Sequence, residues 1–149
     1  MIVKKMALAC ILFIAFGIGA IAQCDKKLKL KAEKVYQVSG DTTLGESIPV
    51  SGELLLTSDS ILISMKWENG GTTEIKGRHL QSLCKMNKDY SQGRIDLTTQ
   101  AQITVRGKTN ESKMTFAVES INGKLRVYAA PEGNEEKICF LVSNSEEIK

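Results

Sequence analysis

The chain has 149 residues, of which 42% are hydrophobic and 25% charged, and its formal net charge at pH 7 is +3. This length fits one domain with a single core. Part of this positive charge lies in an N-terminal segment that we expect to be removed. The remaining charge is too small for the strongly basic balance of a nucleic-acid-binding protein.

That N-terminal segment has the three parts of a secretory signal peptide. Lys4 and Lys5 precede an unbroken apolar run, and Ala20-Ile21-Ala22 resembles the small-residue site at which such peptides are cut. We therefore expect residues 1–22 to be a signal peptide. Residues 23–149 would form a single exported β-rich domain that is periplasmic, at the cell surface or extracellular. Loss of the two lysines lowers the formal net charge from +3 to +1.

Two alternatives to a cleaved, soluble domain stay open. Ile21-Ala22-Gln23-Cys24 resembles a lipobox, so Cys24 is a candidate lipidation site, although Gln23 departs from the small residue of that motif. Lipidation would tether the domain to a membrane and leave its fold unchanged. The apolar run could also be a retained anchor, but it is at the short end of the roughly 17–25 residues that a span needs. More lysines follow the run than precede it. Because positive residues favour the cytoplasmic side, this opposes an anchor whose N-terminus lies in the cytoplasm.

Three cysteines, Cys24, Cys84 and Cys139, follow the signal peptide. Exported thiols tend to oxidise. Cys84 and Cys139 both lie in apolar surroundings, so we predict a disulfide between them. Cys24 would then be lipidated or would be a free thiol in a flexible tail. The alternative is three unpaired thiols, two of them buried.

The exported part begins with a strand pattern. Lysines and apolar residues alternate from Lys27 to Ala32, which predicts a half-buried strand that lasts to about Val38. We interpret the lysine face as that of a charged edge strand, with binding to an anionic surface as the alternative. The clearest alternation follows further on, where one face carries Ile61, Ile63, Met65 and Trp67, and we assign this face to the core. Asn69-Gly70-Gly71 then predicts a hairpin.

The second half of the chain continues the pattern. Residues 77–86 are ambiguous, because their apolar spacing also fits a short helix, and residues 87–93 are predicted to be an exposed loop that carries Tyr90. Residues 95–106 alternate over the longest run, which predicts a strand long enough to bend. Asn122-Gly123 predicts a type I′ hairpin between two further strands. Ile138 to Val142 is apolar on both faces, as a central or doubly covered strand would be.

These elements predict an all-β fold. We expect eight or nine short strands in a single small antiparallel meander, which closes as a barrel or folds as a sandwich. The pattern resembles the small exported β-domains of bacteria, including lipocalin-like barrels. Trp67 stands in Lys66-Trp67-Glu68, without the Gly-x-Trp pattern expected near the first strand of a lipocalin. The resemblance therefore concerns architecture, and architecture does not set function.

The sequence does not assemble a catalytic or metal-binding set. His79 is the only histidine, and no nucleophile motif lies near it. The cysteines lack the C-x-x-C spacing of a zinc site. Glu135-Glu136 and similar pairs are typical of solvated charges, whereas general acid–base catalysis needs a buried carboxylate. We expect no cofactor and no metal.

Binding is the function that the pattern leaves open. Four residues, Met65, Trp67, Met114 and Phe116, are candidates for the lining of a ligand cavity in a closed barrel or for plain core. Tyr128 is predicted to point outward beside Arg126, and these residue types are common in binding hot spots.

The sequence therefore predicts an exported, non-enzymatic β-domain. Its partner would be a protein, a small ligand or an envelope component, without nucleic acid and with membrane contact only through a lipid anchor at Cys24. A small-molecule carrier would enclose an apolar cavity, whereas an adhesion or assembly module would expose aromatic residues or an unpaired strand edge. The alternatives are a small secreted hydrolase, which would use His79 or a buried carboxylate, and a membrane-tethered structural lipoprotein.

Overall fold

The computed structural model describes residues 24–40 and 43–149 and is a closed barrel of eight antiparallel strands. In chain order the strands are β1 Lys27–Ser39, β2 Thr43–Leu56, β3 Ser60–Trp67, β4 Thr72–Met86, β5 Gly93–Val105, β6 Lys108–Ile121, β7 Lys124–Pro131 and β8 Lys137–Ile148. Each strand pairs with the next in sequence, and β8 closes the barrel against β1. The predicted all-β meander is confirmed, and it closes as a barrel. The predicted signal peptide and its cleavage site lie outside the described residues.

Within these two ranges, the chain has no helix with the length and hydropathy that crossing a membrane requires. The ambiguous residues 77–86 form the second half of β4, which pairs with β5 from Thr73 to Met86. A bulge between His79 and Gln81 leaves Leu80 without a partner in β5. An inserted residue shifts the alternation of the strand by one position, which explains why this segment also fits a helical spacing.

The first strand is not an edge strand, so that prediction is wrong. β1 pairs with β2 on one side and with β8 on the other, because the barrel is closed. Its lysines point to solvent beside acids of the neighbouring strands. Lys29 forms an ion pair with Glu53 of β2, and Lys26 lies 3.2 Å from Glu147 of β8. These pairs neutralise part of the lysine face and weaken its case as a surface for anions.

Several strands extend beyond one of their neighbours, and the N-terminal half of β2 is one segment that presents an unpaired edge. β2 pairs with β3 only from Val50 to Leu56, so residues 44–49 have β1 on one side and no strand on the other within the described chain. Ile48 in this segment is 43% exposed. Glu46 and Pro49 flank it, and a charge and a proline are features that discourage pairing with another strand.

The barrel interior is filled by side chains. The largest fully buried ones are Phe116, Phe140, Leu30, Leu54, Ile61 and Ile63. Met65 and Met114 are also buried in this core, at 4% and 5% exposure. Trp67 is partly buried against it and donates its Nε1 hydrogen to Thr73 Oγ1 at 2.9 Å. An eight-stranded barrel is just wide enough for its inward side chains to fill it, which is the situation here.

A loop covers the end of the barrel at which β1 begins. Tyr90 lies in this loop and is 7% exposed, so the prediction of an exposed loop is wrong for this residue. Ser120 Oγ donates a hydrogen bond of 2.6 Å to the carbonyl oxygen of Tyr90, and Gly123 N donates one of 2.8 Å to that of Ser91. The open end of a barrel exposes apolar interior, and Tyr90 covers it with a buried ring.

A disulfide joins Cys24, just before β1, to Cys84 in β4 at the same end, with a Cα–Cα distance of 6.2 Å. Cys139 is free and buried. The predicted Cys84–Cys139 pairing is therefore wrong. Three strands separate β4 from β8 in either direction around the barrel. Moreover, Cys84 packs against the interior core, whereas Cys139 belongs to a cluster on the other face of the sheet.

Candidate functional site

The outer face of the barrel carries an apolar cluster, which we call the outer apolar patch. Its buried members are Val38, Ala117, Tyr128 and Cys139, and the partly buried Tyr36, Leu44 and Leu141 pack against them. Strand register builds the patch, because Cys139 of β8 lies between Tyr36 of β1 and Tyr128 of β7, and Tyr128 lies opposite Ala117 of β6. With Leu44 of β2, the patch therefore spans five neighbouring strands.

The same strands also supply the interior core. Phe140, Val127 and Val118 each adjoin a patch residue in sequence, and all three are buried inside the barrel. Successive residues of a strand point to opposite faces, so β6, β7 and β8 are apolar on both faces here. The doubly apolar run from Ile138 to Val142 was the sequence signal for this arrangement.

A cavity of about 560 Å³ lies against the patch. The described residues that line it come from β4 to β8, from Val38 of β1 and from Gly40 beyond it. Its middle strands contribute the small side chains of Thr115, Ala117 and Ala130. Larger side chains stand on the strands to either side, with Leu83 in β4 and Val38 in β1. Leu83 is 55% exposed, so the apolar surface continues beyond the buried part of the patch.

Among the described residues, three charged side chains border the cavity. Arg94 Nε and Asp96 Oδ1 are 2.9 Å apart and form an ion pair with each other. The third is Lys137 at the start of β8, which is exposed and forms no ion pair within the described part of the chain.

Two ionisable side chains at the patch, Cys139 and Arg126, have shifted pKa values. Burial raises the pKa of the Cys139 thiol to about 11, while the charge of Arg126 and a hydrogen bond with Tyr128 oppose that shift. The pKa of Arg126 is raised by a hydrogen bond between its side chain and that of Tyr128. Because the thiolate is the nucleophilic form, we expect the buried Cys139 thiol to react slowly at neutral pH.

His79 lies in the barrel wall, with its Nδ1 2.9 Å from the hydroxyl oxygen of the fully buried Thr99. Burial lowers the pKa of His79, while the backbone of Thr57 and Ser60 and the charge of Asp59 act in the opposite direction. The nearby Ser60 Oγ is hydrogen bonded to Thr57 Oγ1 at 2.8 Å. A nucleophile needs a hydrogen bond to its base, and the hydroxyl that contacts His79 is sealed in the core.

The four predicted cavity or core residues belong to the interior core or pack against it. Met65, Met114 and Phe116 are buried in the core, whereas Trp67 lies near the end of the barrel at which β3 turns into β4. Phe116 also borders the outer cavity through its position in β6. Sequence reasoning missed the small residues Ala117 and Ala130, which read simply as strand positions.

Within residues 24–40 and 43–149, no group of three or more His, Cys, Asp or Glu side chains is placed to hold a metal ion. Comparison of the chain with protein-family models, with curated proteins and with solved structures finds no match.

Proposed function

We propose that this protein is an exported, non-enzymatic binding domain that takes a small anionic amphiphile into the outer cavity. The observation that supports the proposal most is the cavity of about 560 Å³ against the outer apolar patch. Cavities that hold small ligands are typically about 300–1,000 Å³ in volume and mostly apolar, with a few polar groups that orient the ligand. The outer cavity has this size, and its lining combines apolar side chains with polar and charged ones.

The interior of the barrel is a weaker candidate. A lipocalin-like carrier holds its ligand inside the barrel, and here Phe116, Phe140 and Leu30 are fully buried in that space. Opening an interior site would require these side chains to leave a packed core, at a cost of several kcal/mol for each large residue. A ligand on the outer face requires no such rearrangement.

The charges favour an anionic head group on the ligand. Lys137 is the bordering cation without an ion-pair partner in the described chain, whereas Arg94 is already paired with Asp96. A carboxylate or phosphate at Lys137 would gain a charge-assisted hydrogen bond. The alkyl part of the ligand would lie over Ala117 and Ala130, whose small side chains allow close approach. Burial of apolar surface contributes roughly 25 cal/mol per Å².

A fluorescence titration tests this proposal. The mature protein is titrated with the fluorescent fatty-acid analogue dansyl-undecanoate, and dodecanoate is added as a competitor. We expect saturable binding that Thr115→Trp abolishes, because the new ring fills the middle of the cavity. Ser64→Trp is the matched control, since Ser64 is an exposed residue of β3 outside the cavity. Binding that is equally tight in wild type and Thr115→Trp would refute the proposed site.

The head-group assignment has its own test. We expect Lys137→Ala to weaken the binding of dodecanoate roughly tenfold, the effect of losing one charge-assisted hydrogen bond. The same variant should bind the uncharged dodecanol as tightly as the wild type does. If both ligands lose affinity equally, Lys137 contributes packing and the ligand need not be anionic.

A second candidate function is partner binding at the edge of β2, as an adhesion or assembly module would use. The observation that favours it is the segment of residues 44–49, which has a strand on one side only. An extended segment of another protein could add a strand there. Ser47→Pro would remove a backbone donor from the segment and should abolish co-purification of such a partner, while leaving dodecanoate binding unchanged.

A further inference from the structure

Cys24 can be lipidated or can form a disulfide, but it cannot do both. Lipidation joins its Sγ to a glyceryl carbon as a thioether and consumes the thiol. A disulfide uses the same sulfur atom. A chain whose Cys24 is lipidated must therefore leave Cys84 without its partner.

The structure places Cys24 against the barrel and not on a tether. Cys24 packs against the interior core, and its Cα lies 6.2 Å from that of Cys84, which is within the usual range for a disulfide. The two cysteines border a cavity of about 190 Å³ at this end of the barrel, which Tyr90 also lines. The thiol of Cys84 thus has a partner at bonding distance as soon as the barrel closes.

The residues that follow Cys24 are held by contacts with the barrel. Lys26 is held by its ion pair of 3.2 Å with Glu147, and its Nζ lies 5.4 Å from the centre of the Tyr90 ring. Strand pairing starts at the next residue, where Lys27 lies opposite Ile148. A membrane tether normally needs a stretch of free chain between the lipidated residue and the domain. Here only Asp25 separates Cys24 from residues with fixed contacts.

We infer that Cys24 is committed to the disulfide with Cys84 and is not lipidated, so that the mature domain is released in soluble form. This inference rests on the export that the proposed function also assumes. The two thiols lose two protons and two electrons as the S–S bond forms. The acceptor is the disulfide of a thiol–disulfide oxidoreductase in the export compartment, which is reduced to a dithiol.

Intact mass spectrometry tests the inference on the full chain, expressed with its own leader in an exporting bacterium and separated into soluble and membrane fractions. We expect the product in the soluble fraction, without acyl chains and two daltons lighter before reduction than after it. Peptide mapping should join Cys24 to Cys84. The matched variant Cys139→Ala should give the same two-dalton difference, and Cys84→Ser should abolish it.

Three results would overturn the inference. The first is a membrane-bound product that begins at Cys24 and carries a diacylglyceryl thioether. The second is a soluble product in which Cys24 and Cys84 are both free thiols, and the third is a peptide map that joins either of them to Cys139. An oxidised, soluble protein that fails to bind dodecanoate would refute the proposed ligand and leave the assignment of Cys24 intact.

Discussion

Tyr128 of β7 and Cys139 of β8 lie directly opposite each other on the outer face of the barrel, at only 7% and 0% exposure. Outward positions on the strands of a small barrel are ordinarily polar, because solvent covers them. Here the outward pair is nearly as buried as the inward pair formed by Val127 and Phe140. The wall of the barrel between β6 and β8 therefore has two apolar faces, and the second face is where we place the ligand.

The burial of Cys139 predicts how its thiol reacts. Because its pKa is raised to about 11 and the residue is inaccessible, it should not react with Ellman's reagent in the folded, oxidised protein at neutral pH. After unfolding, one thiol per mature chain should react with the reagent. Rapid reaction in the folded protein would show that the patch is open and the thiol accessible.

The disulfide should account for a large part of the stability of the domain. It closes a loop with a sequence separation of 60 residues. Loop-closure entropy alone predicts that the double variant Cys24→Ser, Cys84→Ser loses about 4 kcal/mol in the free energy of unfolding. Urea unfolding of the variant and of the oxidised wild type measures this difference. Equal transition midpoints would contradict a structural role for the bond.

Two glycines with positive φ should differ sharply in their tolerance of alanine. At Gly93, with φ +131°, a Cβ would lie 2.2 Å from the carbonyl oxygen of Lys85, so the backbone would have to move. At Gly133, with φ +77°, a Cβ would have no atom within 4 Å. We expect Gly93→Ala to cost roughly 3 kcal/mol or more and Gly133→Ala about 1 kcal/mol. Thermal unfolding of both variants provides the comparison, and equal losses would contradict the described turn into β5.

Acid should destabilise the barrel through His79. Burial places the pKa of His79 in the folded protein below its ordinary value of 6.5, so the unfolded chain takes up the proton first as the pH falls. The contribution of His79 to stability is therefore fully present above about pH 6.5 and is lost as the pH falls from there towards the folded pKa. Asp59 has a lowered pKa and titrates at more acidic pH, outside this window.

The measurement is urea unfolding of the wild type and of His79→Gln between about pH 7.5 and pH 5. The wild type should lose more stability over this range than the variant, whose side chain does not titrate. Parallel losses in the two proteins would show that His79 is not responsible.

The sequence was a good guide to the fold because alternation reports directly on which face of a strand is buried. It predicted the face that carries Ile61, Ile63 and Met65, and the Asn122-Gly123 turn between β6 and β7. It was ambiguous at residues 77–86, where the extra Leu80 shifts the alternation within one continuous strand. A local sequence pattern does not predict a bulge, because a bulge is defined by the pairing with the neighbouring strand.

The site was harder to predict because it depends on contacts between distant strands. The pairing of Cys84 required knowing that β4 and β8 lie on opposite sides of a closed barrel. The outer apolar patch required the register that brings Tyr36, Cys139, Tyr128 and Ala117 into one row. Alanine and cysteine within apolar runs look like ordinary core, and only the register shows which of them point outward.

The most direct test of the proposed site is to map amide chemical shifts while dodecanoate is titrated into the oxidised mature domain. The outer-cavity account predicts the largest changes at Thr115, Ala117, Tyr128 and Ala130. Strands β2 and β3, represented by Leu54 and Ile63, should change little. Changes concentrated at Leu54 and Ile63 would place the ligand inside the barrel, and no change at any amide would show that the cavity does not bind this class of molecule. Either result would contradict the account.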